Sequence, residues 1–299
     1  MGCNAQPPDN AAKPQDETPV AAEAPKKPSI DPDLKKELDR LEADAKAAVT
    51  AGDWVTAKQL IQQGIESTEP NRDLDLIMAR FLLLKGEVSL NVGDHPNARR
   101  YFTDAMAVFH VRKNDPGRFE TFIALGRLEE QRGDYAAAER QFEEAETLKP
   151  KIVDKALLGK FLVAKGRLAA RQMDHNKAAE NYTEALQIFD TIKDNTLRAE
   201  TLLLLAQEEE MLGRLGSSTQ SLQRAAKLFG DADNLDGKVR AVHRLATYAE
   251  REKKYASARR LFNEALEIYR KLDQQTAATS VERHLSALPV PENDTKKKK

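Results

Sequence analysis

Residues able to do chemistry are few in this 299-residue chain, and they are scattered. The five histidines are His95, His110, His175, His243 and His284, and none has a second ligand at the spacing a metal ion needs. His95 and His175 each follow an aspartate, Asp94 and Asp174, and read as turn and packing residues. Cys3 is the single cysteine, which excludes both an internal disulfide framework and a cysteine metal cage. There is no G-x-x-x-x-G-K, no glycine-rich dinucleotide turn and no H-E-x-x-H, so neither phosphate cradling nor zinc hydrolysis has its residues. The expectation is a chain with no cofactor, no metal and no enzymatic activity. What remains is charge. Arg127 and Arg167 stand 40 residues apart, and paired guanidinium groups are suited to holding a carboxylate.

The elements that must position these groups follow from composition and periodicity. Lys plus Arg number 47 against 48 Asp plus Glu, a net charge of −1, which removes the broad basic field expected of a nucleic-acid binder. Charged residues reach 32% and aromatics only 6%, a balance that suits exposed amphipathic helices. The longest apolar run, around Leu202 to Leu205, falls far short of the roughly 18 residues a membrane helix needs. Residues 1–37 contain Pro7, Pro8, Pro14, Pro19, Pro25, Pro28 and Pro32 among Ala, Gln, Asp, Glu and Lys. Such a stretch buries too little to offset its ordering entropy and reads as a disordered tether. Pro289 and Pro291 open a second tail that ends in Lys296 to Lys299, read as a solvated end. Between the tails apolar residues recur at steps of three and four, as in Ala138, Phe142, Ala145 and Leu148, so this region is all helix.

A repeat with a 40-residue step organises those helices. Its copies begin near residues 38, 79, 119, 159, 199 and 239. A first small column holds Ala45, Gly86, Gly126, Gly166, Ala206 and Ala246, and a second holds Ala57, Ala98, Ala138, Ala178, Ser218 and Ala258. A large apolar residue follows four positions later at Ile61, Phe102, Phe142, Tyr182, Leu222 and Phe262. The chain then turns small again at Gly64, Ala105, Ala145, Ala185, Ala225 and Ala265. Gly, Ala and Ser make up 65 of 299 residues, so chance would fill only about four of these 18 small positions. Close packing is the physical reason: two helices approach only where one presents no more than a methyl, and the partner's large side chain fills the hole. The turn inside each copy reads Gly52-Asp53, Gly93-Asp94, Gly133-Asp134 and Gly213-Arg214, a left-handed helix end followed by a cap. Met173-Asp174 and Lys253-Lys254 replace it twice, and are expected to weaken the turn without abolishing it.

These columns resemble the tetratricopeptide repeat over residues 38–278. The third copy matches best, with Leu125-Gly126, Gly133-Asp134-Tyr135, Ala138, Phe142, Ala145 and Pro150. The usual repeat has 34 residues; the 40-residue form resembles the long-helix variant of kinesin light chains and Pins-type adaptors. Departures are Lys85 and Lys165, where the family prefers Leu, and Ser89, Glu129 and Ala169 at its first-helix Tyr. The resemblance implies an all-α, right-handed α-solenoid of about six helix pairs, with residues 279–299 forming the end of a C-terminal cap helix and the Lys-rich tail. It also implies a concave groove lined by the first helices, with contact positions at Arg127, Lys160, Arg167, Arg171, Gln207, Arg240 and His243. On this reading the partners are other proteins, acidic peptide segments among them, flanked by Arg127 and Arg167; the alternative is internal ion pairing of both arginines with Glu130, Glu200 or other carboxylates. Only Asn91 falls on a groove column, so the paired asparagines of chaperone-tail binders are missing.

At the N-terminus, Met1-Gly2-Cys3 and the Pro/Ala-rich run resemble a bacterial lipoprotein's modified cysteine and linker, without the basic and apolar segments that precede it. Gln6 stands where N-myristoylation wants Ser or Thr. The functional expectation is a non-catalytic protein–protein interaction scaffold. Alternatives are a lipid-anchored envelope assembly factor, with Cys3 carrying the lipid, and a peptide-sensing regulator. Localisation follows suit: cell envelope if anchored, cytoplasm if not.

Overall fold

The computed structural model describes residues 1–2, 30–68 and 71–289. Thirteen α-helices account for nearly all of them, with short 3-10 turns at Arg72–Leu74 and Lys149–Lys151. They are α1 (Pro32–Ala51), α2 (Trp54–Thr68), α3 (Asp75–Asn91), α4 (His95–Val111), α5 (Asp115–Gln131), α6 (Tyr135–Leu148) and α7 (Lys155–Arg171). The series continues with α8 (His175–Ile192), α9 (Asn195–Met211), α10 (Leu215–Asp231), α11 (Leu235–Arg251), α12 (Tyr255–Lys271) and α13 (Gln275–Ala287). Consecutive helices pack as antiparallel pairs, α1 with α2 through α11 with α12, and α13 closes the stack with Ala278 and Val281 buried. No described helix is long and apolar enough to cross a membrane.

The small columns are the hinge-line of every pair. A Cβ built on Gly126 would lie 2.3 Å from the Phe142 ring, one on Gly86 2.4 Å from Phe102, and one on Gly166 2.5 Å from Tyr182. Each aromatic ring therefore sits on bare backbone of the facing helix, and its own column is buried throughout. A second lock of the same kind uses a further column of the 40-residue repeat, at Phe109, Phe189 and Phe229. Phe109 covers Gly117, Phe189 covers Gly159 and Phe229 covers Gly237, each within 2.4 Å of where a Cβ would stand. Phe109 and Phe229 thereby join the second helix of one pair to the first helix of the next, and Phe189 braces α8 on α7 within its own pair.

Turn chemistry explains where helices start. Asp53, Asp94, Asp134 and Asp174 accept a hydrogen bond from the backbone N–H three residues on, and Asn114, Asp154, Asp194 and Asn234 do the same for the first helices of later pairs. Because those caps precede the small columns, first helices begin at 75, 115, 155, 195 and 235, about four residues ahead of the register expected from the columns alone. Likewise α1 begins at Pro32, capped by Asp31, so residues 32–37 are helical and the boundary expected at 37 moves back; residues 3–29 of the expected tether lie outside the described residues. Met173 and Lys253 hold φ of 65° and 59°, so the left-handed turn survives without glycine. Lys85 and Lys165 do not disturb the pairs either. Their ammonium groups extend to Gln62 (3.0 Å) and Glu146 (3.2 Å), keeping the stems against the fold and the charge near solvent.

Candidate functional site

First helices line one hollow of about 340 Å³ that runs from α1 to α9. Its wall includes Lys46, Glu87, Glu120, Arg127, Lys160, Arg167 and Glu200, over an apolar floor with Ile123, Ala164 and Leu204. The structure thus brings together three of the residues expected from the sequence, Arg127, Lys160 and Arg167. Arg171 is not among the hollow's lining. Gln207 is exposed on α9. Arg240 and His243 line a separate hollow of about 350 Å³ with Glu210, Arg244, Thr247, Tyr248 and Tyr269. Cys3 lies outside the described residues.

The two arginines do not behave alike. Arg127 stands 3.7 Å from Glu87, a loose ion pair across neighbouring first helices. Arg167 has no ion-pair partner within 4 Å among the described residues, and neither have Lys160, Glu120 and Glu200. The alternative of internal pairing therefore holds for Arg127, through Glu87 rather than Glu130 or Glu200, while Arg167 has no such carboxylate within 4 Å among the described residues. Glu130 is nearly fully buried and takes Arg171 instead, at 3.3 Å. In the groove wall the Glu120 carboxyl is pushed up to about 7, chiefly by burial and further by Glu87, with Lys46 and Lys160 opposing. Burial also raises Glu200, against the pull of Arg240. Both carboxyls sit in a partly dry wall, where burial disfavours their charged form.

Elsewhere the first helices are tied rung to rung. Arg251 reaches back to Glu210 at 2.7 Å, and Arg244 and the Tyr248 hydroxyl grip the same carboxylate. Glu129 takes Arg99 and Arg132, Glu208 takes the His175 ring at 2.7 Å, and Glu42 takes Arg80 and Lys46. The His243 ring is turned inward: its Nδ1 is 3.0 Å from the Tyr269 hydroxyl and its edge faces Phe262, and burial holds it below the ordinary imidazole value. His243 is therefore a packing residue of the last pair that shows one face to the surface. Sequence reasoning misses the pairing roles of Glu129 and Glu208, and names Glu130 as an ion-pair partner but with Arg127 or Arg167 in place of Arg171. A signal for such ties exists, since Arg171 follows Glu130, and Arg251 follows Glu210, by 41 residues each.

With pairs, columns and groove in place, residues 77–151 match the family model of the tetratricopeptide repeat. The fold is a tetratricopeptide-repeat solenoid. No curated protein matches the chain. Among solved structures, the tetratricopeptide-repeat-sensor STAND ATPase of Pyrococcus horikoshii superposes with a TM-score of 0.68 at 15% identity, over 82% of this chain but only 37% of its own. A Rap protein in complex with the Competence and Sporulation Factor gives 0.63 at 13% identity, over 84% of this chain and 74% of that one. Aspartyl phosphate phosphatase F of Bacillus subtilis gives 0.54 at 11% identity, over 87% and 74%. At these identities the likeness is one of right-handed solenoid fold.

Proposed function

We propose that this tetratricopeptide array is a non-catalytic interaction scaffold that holds a segment of another protein in the hollow between α1 and α9. One observation carries the reading: Lys160 and Arg167 face that hollow without ion-pair partners among the described residues, beside a loosely paired Arg127. Unpaired cations on rigid helices meet an acidic side chain at little reorganisation cost. The Rap protein bound to the Competence and Sporulation Factor supports a ligand-carrying role for a fold of this kind. Pull-down from native extract with wild type and with Arg127→Glu/Arg167→Glu tests it, with partners identified by mass spectrometry and helicity matched by circular dichroism. A partner lost from the double variant supports the groove; a partner retained by it places binding on another face or a tail.

A lipid-anchored form is a second reading, favoured by Gly2-Cys3 ahead of the proline-rich tether. Intact-mass measurement of the N-terminal peptide decides it, since an unmodified Cys3 thiol excludes the anchor.

A further inference from the structure

Two of the cations in the hollow between α1 and α9 already have carboxylates: Arg127 has Glu87 at 3.7 Å, and Lys46 has Glu42 at 2.7 Å. Taking those pairs out leaves two charges of each sign on the wall, Glu120 on α5, Lys160 and Arg167 on α7, and Glu200 on α9. Among the described residues none of the four has an ion pair within 4 Å. The charged groups that face Glu120 are Glu42 and Lys46 of α1, Glu87 of α3 and Lys160 of α7. Of the two cations, Lys46 is committed to Glu42, and Lys160 acts on Glu200 as well. Burial and Glu87 outweigh them and hold the free carboxyl up at about 7.

An acidic side chain alone is a poor occupant for such a hollow. It satisfies Lys160 and Arg167, but it brings a further negative charge beside Glu120 and Glu200 and displaces the water around them. A carboxyl so enclosed either keeps a proton or meets a cation. Ile123 and Ala124, one turn along α5 from Glu120, line the same hollow and offer an apolar wall for the stem of a lysine or arginine. We infer that the segment held in the hollow carries a basic residue beside its acidic one, the basic head group pairing with Glu120 while the acidic one meets Lys160 and Arg167. This rests on the groove reading above and adds the second sign of charge to its ligand. The pairing needs Glu120 ionised, so binding expels its proton and tightens as pH rises through about 7.

Fluorescence anisotropy with the full chain at pH 6 and pH 8 tests this. The probe is Lys-Gly-Glu-Glu-Gly-Lys, amidated at its C-terminus and carrying tetramethylrhodamine on its N-terminus; the control has acetyl-lysine in place of both lysines. Neither peptide titrates over this interval, since Glu and Lys ionise at about 4.3 and about 10.4, and no described histidine lines the hollow. A carboxyl that ionises at about 7 goes from about one-tenth to about nine-tenths ionised, so the lysine probe should bind about five- to tenfold tighter at pH 8. The gain should be absent from the control and from Glu120→Gln, and should survive in Glu200→Gln, with helicity matched by circular dichroism. A wild-type gain below about twofold, one that persists in the control or in Glu120→Gln, or one that disappears in Glu200→Gln overturns the inference. If both peptides bind alike and are lost together with Arg127→Glu/Arg167→Glu, the basic seat falls and the groove stands. No binding up to about 1 mM, or binding that survives that variant, takes the groove reading with it.

Discussion

Glu120 is the groove residue whose replacement reads the wall most directly. Burial among Glu87 and Glu42 on one side and Lys46 and Lys160 on the other pushes its carboxyl up to about 7, from an ordinary 4.5. In that interval the folded chain holds a proton that the unfolded chain releases. The stabilisation is therefore complete below about pH 4.5 and is lost as pH rises through about 7. At about 1.4 kcal/mol per pH unit of separation, wild type should lose roughly 1–3 kcal/mol from this group between pH 5 and pH 8. Glu120→Gln keeps the shape and the neutral state but cannot ionise. Urea unfolding followed by far-ultraviolet circular dichroism at both pH values cancels the titration of every other group when the two proteins are subtracted. The variant should match wild type at pH 5 and exceed it by that 1–3 kcal/mol at pH 8. A variant less stable than wild type at pH 8 would mean that Lys46 and Lys160 outweigh desolvation, and the description of the wall as dry would be wrong.

Three further expectations separate structural charges from free ones and test the packing columns and turns. Arg171→Ala leaves the buried Glu130 carboxylate without its guanidinium and should cost about 2–3 kcal/mol, whereas Arg167→Ala should stay within about 0.5 kcal/mol; parallel urea titrations distinguish them. Gly126→Ala drives a methyl into the Phe142 ring and should destabilise by about 1–3 kcal/mol, with Phe142→Leu on the same chain recovering about 1 kcal/mol of coupling in a double-mutant cycle. Met173→Gly relieves a left-handed residue at φ 65° and should raise stability by about 0.5–1 kcal/mol, while Gly133→Ala at φ 79° should lower it; thermal melts of the two variants should move in opposite directions.

The parts of this fold legible in sequence are those decided at the level of a Cβ. Whether position 126 or 166 can sit against an aromatic ring depends on residue type alone, so the columns Gly86, Gly126 and Gly166 announce helix pairs directly in the amino-acid sequence. The Phe109–Gly117, Phe189–Gly159 and Phe229–Gly237 locks obey the same rule; their rings share one column at steps of 40, but Lys149 interrupts it, and the glycine lies eight residues after two of the rings and 30 before the third. Charge pairing is legible only in part. Arg127 and Arg167 occupy identical positions in successive repeats, yet one finds Glu87 and the other finds nothing within reach among the described residues, because the residue one repeat earlier is Glu87 for Arg127 and Arg127 itself for Arg167. Arg171 sits one turn further along α7, where Glu130 projects from the preceding first helix, and so becomes a strut.

The division between struts and free charges is what gives the array a functional direction. Buried carboxylates at Glu42, Glu129, Glu130 and Glu208 each capture a cation or an imidazole from a neighbouring helix, and breaking such a pair strands a charge in a dry site. These contacts resist sliding of one repeat over the next and so fix the pitch at which the first helices are presented. On that fixed frame, Glu120, Lys160, Arg167 and Glu200 are left uncompensated along one continuous wall. A solenoid selected for stability alone would gain by turning Lys160 toward Glu120 or Glu200, both already within its electrostatic reach. Because the ion pairs fix how the first helices present these charges, loosening a strut such as Arg171–Glu130 should weaken ligand selection along with stability.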